Sequence, residues 1–293
     1  MRFSVVIATK DRPRDLERAL DSLSRCDPPP AEIIVADGDE AGSAKPVSDA
    51  HAGRESSPPL HYLSSPPGLT RQRNRAVADA SGDVVVFLDD DVEVDARLFA
   101  ELARAYRDSA VVGATGRVHE EDPRRFGNNR SLARRLVFGS GREGTMTRFG
   151  YPRRLQDLYA ERDVEFMQGC LMSARREAVE RVGFDERLTG YGLCEDEDFS
   201  YRLSRTGRVR YVPGAVVRHR NTGFTSSATR RFNRDVVVNR TYLFRKNFRQ
   251  TKSARIGFAG LILVLLVHRV VNREWDGVRG LVDGIREVWR SGP

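Results

Sequence analysis

Over its first third the chain alternates short apolar runs with stretches of helical spacing. Val5 to Ala8 is an apolar run that predicts a buried strand, and Leu16, Ala19, Leu20 and Leu23 then recur at the spacing of one helix face. A second strand is expected over 32–36, ending at Asp37-Gly38-Asp39, then a Pro/Ser/Gly-rich loop over about 40–59 and a short strand over 60–63. A helix follows over 70–80, closed by Ser81-Gly82, and a strand over 83–88 runs straight into Asp89, Asp90 and Asp91. A helix over 96–106 and a strand over 110–114 complete this part. Residues 117–160 are Arg/Gly-rich, without clear period, and read as a variable loop. Order returns at Phe166 to Met172, with a helix over 175–182, a turn at 183–186 and another helix starting near Glu195. Residues 256–267 are uncharged and apolar-rich, and Trp275, Val278, Leu281, Val282, Ile285 and Val288 follow helical spacing.

Strands separated by helices imply βαβ crossovers and a mostly parallel, Rossmann-like central sheet flanked by helices. Ligands of such sheets bind at the carboxyl ends of the strands. Thr9 to Arg12, Asp37 to Asp39 and Asp89 to Asp91 all follow predicted strands, so they should converge on one crevice.

Composition narrows the function classes. Three scattered cysteines without a CxxC pair argue against a disulfide framework or a zinc knuckle. The apolar start is too short for a signal peptide, which makes the cytoplasm the expected compartment. The net charge of +8 is local: residues 201–255 hold 15 Arg or Lys against the single acid Asp235. Aromatics interleave this patch only weakly and match no nucleic-acid module, so a diphosphate or an anionic membrane is the expected partner rather than nucleic acid.

Three consecutive carboxylates after a buried strand repel one another unless something positive sits between them. A divalent cation with bound phosphates would answer that need; a solvated acidic turn is the plainer alternative. Glu195 to Asp198 is a second acidic run before Phe199. It suits the positive end of a helix dipole, or supplies a general base for an acceptor hydroxyl. His219 gains interest only through company, as an imidazole that could complete a metal site at Asp91.

Taken in order, these segments resemble the family 2 glycosyltransferases of the GT-A fold, inverting enzymes that use nucleotide sugars. The family's Val-Val-Ile-Pro-Thr-Tyr-Asn-Arg is similar to residues 5–12, its Val-Asp-Asp-Gly-Ser to 35–39, and its Gly-x-x-x-Ala-Arg-Asn helix to 68–74. Its DxD motif matches Asp89 to Asp91, its Gly-Ala-Asn-Met resembles 169–172, and its Gly-Glu-Asp-x-Asp-Leu-x-x-Arg resembles 194–202. The resemblance covers about residues 2–220. It implies donor contacts from Thr9, Asp11, Arg12, Asp37, Arg71, Asn74, Asp89 and Asp90, with Asp37 on the base and Asp89 near the ribose. It also implies Mn²⁺ or Mg²⁺ on Asp91 and His219, Asp196 as catalytic base with Glu195 the second choice, and Gly169 and Tyr191 on the acceptor side. Lys10, Ala36 and Cys194 depart from the pattern; the first two leave the nucleotide open.

The expected organisation is a catalytic domain over 1–225, its donor half ending near 116 and its acceptor half covering 117–225, then a basic, apolar helical extension over 226–293. That extension would either pack on the domain or lie against an anionic membrane, which would make the enzyme peripheral at the inner face of the plasma membrane. The expected reaction is sugar transfer from a nucleotide sugar to a glycan or lipid-linked acceptor, in cell-surface polysaccharide or glycolipid synthesis. A sugar-phosphate nucleotidyltransferase would want a Gly-rich phosphate loop after the first strand, where Thr9 to Pro13 offers none. A non-catalytic, membrane-associated sugar-binding module is the remaining alternative.

Overall fold

The computed structural model describes residues 1–55, 57–120, 141–155, 159–189, 192–220 and 229–290. The chain divides into two compact units, Met1–Asp122 with Leu155–Thr222, and Pro123–Arg154 with Gly223–Pro293.

The first unit is built on one nine-stranded sheet. Its strands are β1 (Phe3–Thr9), β2 (Glu32–Asp37), β3 (Leu60–Ser64), β4 (Val84–Asp89), β5 (Val92–Val94), β6 (Val111–Glu120), β7 (Arg162–Val164), β8 (Leu171–Arg175) and β9 (Arg208–His219). They lie in the order β3-β2-β1-β4-β8-β6-β9-β5, with β7 also on β9. The β3-β2-β1-β4 half is parallel. Beyond it the sheet is mixed, because β8 runs antiparallel to both neighbours and β5 and β7 run antiparallel to β9.

Period-2 alternation sorts the strand residues onto two cores. Val5, Ile7, Ile33, Val35 and Val86 pack beneath α1 (Pro13–Leu23) and α4 (Leu98–Ala105). Val6, Ile34, Val85 and Phe87 face α3 (Leu69–Ala78), α5 (Arg176–Val182) and α6 (Glu195–Ser204). Both faces are covered, which is why β1, β2 and β4 read as continuous apolar runs. The expected loop at 40–59 contains a short helix, α2 (Lys45–Ala52), whose buried residues are Ser48 and His51. With no apolar stripe it left no periodic trace.

In the second unit, α7 (Arg230–Asn247), α8 (Lys252–Val271) and α9 (Trp275–Arg290) follow one another. The apolar run at 256–267 is the middle of a 20-residue helix, extended by 252–255 at one end and 268–271 at the other and capped by the Thr251 hydroxyl, which accepts from the Ala254 amide at 3.2 Å. By length and composition alone, α8 is the one helix among the described residues long and apolar enough to cross a membrane.

Candidate active site

The carboxyl ends of β1, β2 and β4 gather the first half of the site. Asp89 is the last residue of β4, and Asp90 and Asp91 form the link into β5. β5 pairs with the far end of β9, so that Val92 lies opposite His219. β6 runs along the other side of β9 and sets Glu120 opposite the same histidine. Register alone thus carries His219 to the Asp triplet, from more than a hundred residues away.

The donor atoms match that register. His219 Nε2 lies 3.2 Å from Asp91 Oδ1, and Nδ1 lies 3.1 Å from Glu120 Oε2. Asp89, Asp91 and His219 each bring one ligand atom within 4.8 Å of the others. Two donors on one Mg²⁺ or Mn²⁺ at about 2.1 Å each stand roughly 3 Å apart at right angles; the 3.2 Å between His219 and Asp91 matches that spacing, and an oxygen–oxygen–nitrogen set could hold a hard divalent ion.

The charges here are strongly coupled. Burial alone would lower the His219 pKa, but Cys170, Asp91 and Glu120 raise it well above the usual imidazole range. Burial would raise Asp91, yet His219 and Arg12 hold it well below the usual carboxylate range. Asp90 is the exception. Burial pushes it up to about 7, against the opposing pull of Arg12 and a hydrogen bond from Thr9. Arg12 spans the pair, with Nη1 2.5 Å from Asp90 Oδ1 and Nη2 2.9 Å from Asp91 Oδ2, while the Thr9 hydroxyl donates to Asp90 at 2.7 Å.

On the other side of the crevice, α6 begins at Glu195 after a left-handed Cys194 (φ 72°). Glu195 is buried, and burial together with Asp196 pushes its carboxyl well above the usual range despite Arg73. Asp196 is half-buried; its Oδ2 accepts from the Gly169 amide at 3.2 Å and its Oδ1 from the Glu197 amide at 2.8 Å. Gly169 allows this approach, since a Cβ there would lie 3.3 Å from Glu195 Oε1 and 3.4 Å from Asp196 Oδ2.

Arg73 ties the two sides together, and the sequence reading missed it. Its guanidinium is fully buried, 2.5 Å from Glu195 Oε1 and 3.1 Å from Asp89 Oδ1, and donates to the Gly169 carbonyl at 3.1 Å. It also lies over the Phe184 ring at 5.3 Å. The signal was available: Ala76 and Val77 lie on the buried face of α3, and residue 73 falls on it, one turn earlier. A charged residue at a core-facing position needs a partner.

The remaining expected donor residues have other surroundings. Asp37 is fully buried; its oxygens accept from the amides of Asp39 (2.9 Å) and Ala44 (3.1 Å) and from the Tyr62 hydroxyl (3.1 Å). Asn74 holds the Phe184 backbone through both amide atoms at 2.9 Å. Arg71 is exposed, 3.7 Å from Glu186, and Asp11 is an exposed residue with φ 55°. Tyr191 lies outside the described residues. Gln72, not singled out by sequence, joins the ends of β1 and β2 by donating to the Thr9 and Ala36 carbonyls at 2.9 and 2.8 Å.

A half-parallel sheet with an Asp triplet and a histidine at its strand ends defines an α/β protein with a side-chain group that could hold a cation. The model of the family described as glycosyl transferase family 2 matches residues 4–183, and the chain belongs to that family. A search of curated protein sequences finds no match. Among solved structures, the mannosyltransferase PcManGT from Pyrobaculum calidifontis, in complex with GDP-Man and Mn²⁺, is similar at TM-score 0.61 and 16% identity, covering 100% of this chain and 76% of that one. S. aureus TarS 1–349 is similar at 0.54 and 15%, covering 98% and 92%. GalNAc-T7 with UDP, GalNAc and Mn²⁺ is similar at 0.58 and 19%, covering 81% and 48%. The fold is GT-A with a helical C-terminal extension, and the protein is a glycosyltransferase.

Proposed function

We propose that this glycosyltransferase takes a sugar from a nucleotide-sugar donor and transfers it, with inversion, to an acceptor hydroxyl of a cell-surface glycan or glycolipid. The observation that carries this reading is the joining of the Asp89–Asp91–His219 cluster to Asp196 through Arg73 and Gly169. Asp89, Asp91 and His219 would hold a Mn²⁺ or Mg²⁺ ion, which supplies Lewis-acid stabilisation of the departing diphosphate. The solved relatives carrying GDP-Man or UDP together with Mn²⁺ support the donor class and the metal.

Asp196 is the base we assign. Glu195 is committed to Arg73 inside the fold, whereas Asp196 is half-buried, beside Gly169. Its carboxylate accepts the acceptor's hydroxyl proton as that oxygen attacks the anomeric carbon. The bond from that carbon to the diphosphate oxygen breaks, and the nucleotide diphosphate leaves with the electron pair. Asp11 and Arg71, exposed near the ends of β1 and α3, are assigned to the rim of the donor pocket.

Thermal-shift titration with UDP-, GDP- and dTDP-sugars, with and without Mn²⁺, identifies the donor. Turnover of that donor should fall by at least about 100-fold in Asp91→Ala and in Asp196→Asn. Unchanged rates in both variants would remove this mechanism.

A further inference from the structure

Helix α9 reverses the usual amphipathic arrangement. Its buried positions are Gly277, Gly280, Leu281 and Gly284. A Cβ at Gly280 would stand 2.1 Å from the Arg230 carbonyl oxygen, and one at Gly284 would stand 2.7 Å from Val237 Cβ. The glycines thus bring α9 backbone-close to α7. Trp275, Val278, Val282, Ile285 and Trp289 recur at helical spacing on another face. Of these, Trp275, Ile285 and Trp289 are 56%, 41% and 86% exposed. A helix that met only water outside would turn its large apolar residues inward.

Helix α8 carries a second such stripe. Ile256, Leu263, Val267 and Val271 lie one above another and are all exposed. Basic residues surround both stripes, since residues 229–290 hold fourteen Arg or Lys against five acids. A bilayer with anionic headgroups matches both features at once, because the apolar stripes meet acyl chains and the cations meet phosphates.

The packing of α8 also decides how it would meet lipid. Phe258 stacks on Phe244 of α7 at 4.7 Å, and Ala254 and Leu261 are buried in the same cluster. The same end of α7 carries Arg240, Arg245 and Lys246. Hydrocarbon on every side of α8 would also surround the Arg and Lys residues of the α7 end that packs on Ala254, Phe258 and Leu261, at high cost. We infer that α8 and α9 lie in the plane of an anionic membrane, inserting their exposed apolar stripes to the depth of the headgroup–acyl boundary.

Trp275 and Trp289 are the only tryptophans in the sequence, so native fluorescence reports on this surface alone. The full chain, mixed with phosphatidylcholine vesicles containing phosphatidylglycerol, should show a blue-shifted emission. Lipids brominated near the headgroup should quench it more than lipids brominated near the chain end. Binding should weaken about 10-fold or more on pure phosphatidylcholine vesicles, and similarly in Leu263→Ser/Trp289→Ser, with far-UV circular dichroism unchanged. No shift or quenching on anionic vesicles at low salt would overturn the inference. Stronger quenching from the chain end would overturn the in-plane orientation. A wild-type dimer in sedimentation velocity that the double variant converts to monomer would assign the stripes to a second copy and overturn the lipid assignment.

Discussion

Replacing Arg73 with methionine tests how the two sides of the crevice are held together. Methionine keeps much of the unbranched stem and removes the charge, leaving three acceptors without their donor. Asp89 loses little, because its side chain is 31% exposed and water can take the place of the guanidinium. Glu195 cannot be rehydrated in this way, being 8% exposed. Removing one partner of a buried pair typically costs about 3–5 kcal/mol. At roughly 2–4 °C per kcal/mol for a protein of this size, the melting temperature should fall by roughly 10 °C. Glu195 already has its carboxyl pushed upward, and loss of Arg73 pushes it further, so protonation relieves part of the cost. The destabilisation should therefore be larger at pH 8 than at pH 5. Arg73→Met/Glu195→Gln should recover at least half of it, because no charge is then stranded. Urea and thermal unfolding of EDTA-treated protein, followed by circular dichroism, measure each value. A single variant within about 1 kcal/mol of wild type at pH 8, or a double variant no more stable than the single, would refute the reasoning.

Three further outcomes are expected. Asp90 has a folded-state pKa of about 7 against an ordinary 3.8, so its stabilising contribution is full below 3.8 and is lost as pH rises through 7. Across that window the stability of Asp90→Asn should improve relative to wild type by up to about 4 kcal/mol, read from paired melts of EDTA-treated protein. Gly116→Ala would place a Cβ 1.8 Å from the Ala215 carbonyl oxygen, where β9 bulges against β6, and should cost about 3 kcal/mol or more in urea unfolding. Gly169→Ala meets Glu195 and Asp196 at ordinary to tight contact, so stability should hold within about 1 kcal/mol. Its transfer rate should nonetheless fall about 10-fold or more, because a small displacement of a base costs rate steeply.

The parts of this fold that were legible in the sequence are those whose chemistry is local. β1, β2 and β4 are buried on both faces, and Leu16, Ala19, Leu20 and Leu23 occupy the core face of α1 as their spacing requires. β9 was hard to read because Pro213 and Gly214 interrupt it; they form the bulge between Val212 and Val216, and the strand resumes to deliver His219. Glu120 gave no signal, since the strand pattern at 110–114 fades well before its true end. α8 was underestimated because Arg255 and His268 bound the apolar run without ending the helix. Arg73 falls on the buried face of α3 and Arg71 does not, a difference that the motif resemblance alone does not reveal. Pairings between distant strands carry no local signature, and the site depends on three of them: β4 with β8, β5 with β9 and β6 with β9.

That dependence sets a timetable for synthesis. Ribosomal synthesis runs from the N-terminus, so β1 to β4 can pair as soon as residue 89 has emerged. β5 follows at once, but its partner among the described residues is β9, which ends at His219. At about 5–20 residues per second the interval is on the order of ten seconds, during which the Asp triplet is on a nascent chain without its histidine. Among the described residues the strand that brings His219 is also the last strand made, and it must dock between β6 and β5. A chain arrested before residue 208 would carry the three carboxylates but neither β9 nor His219.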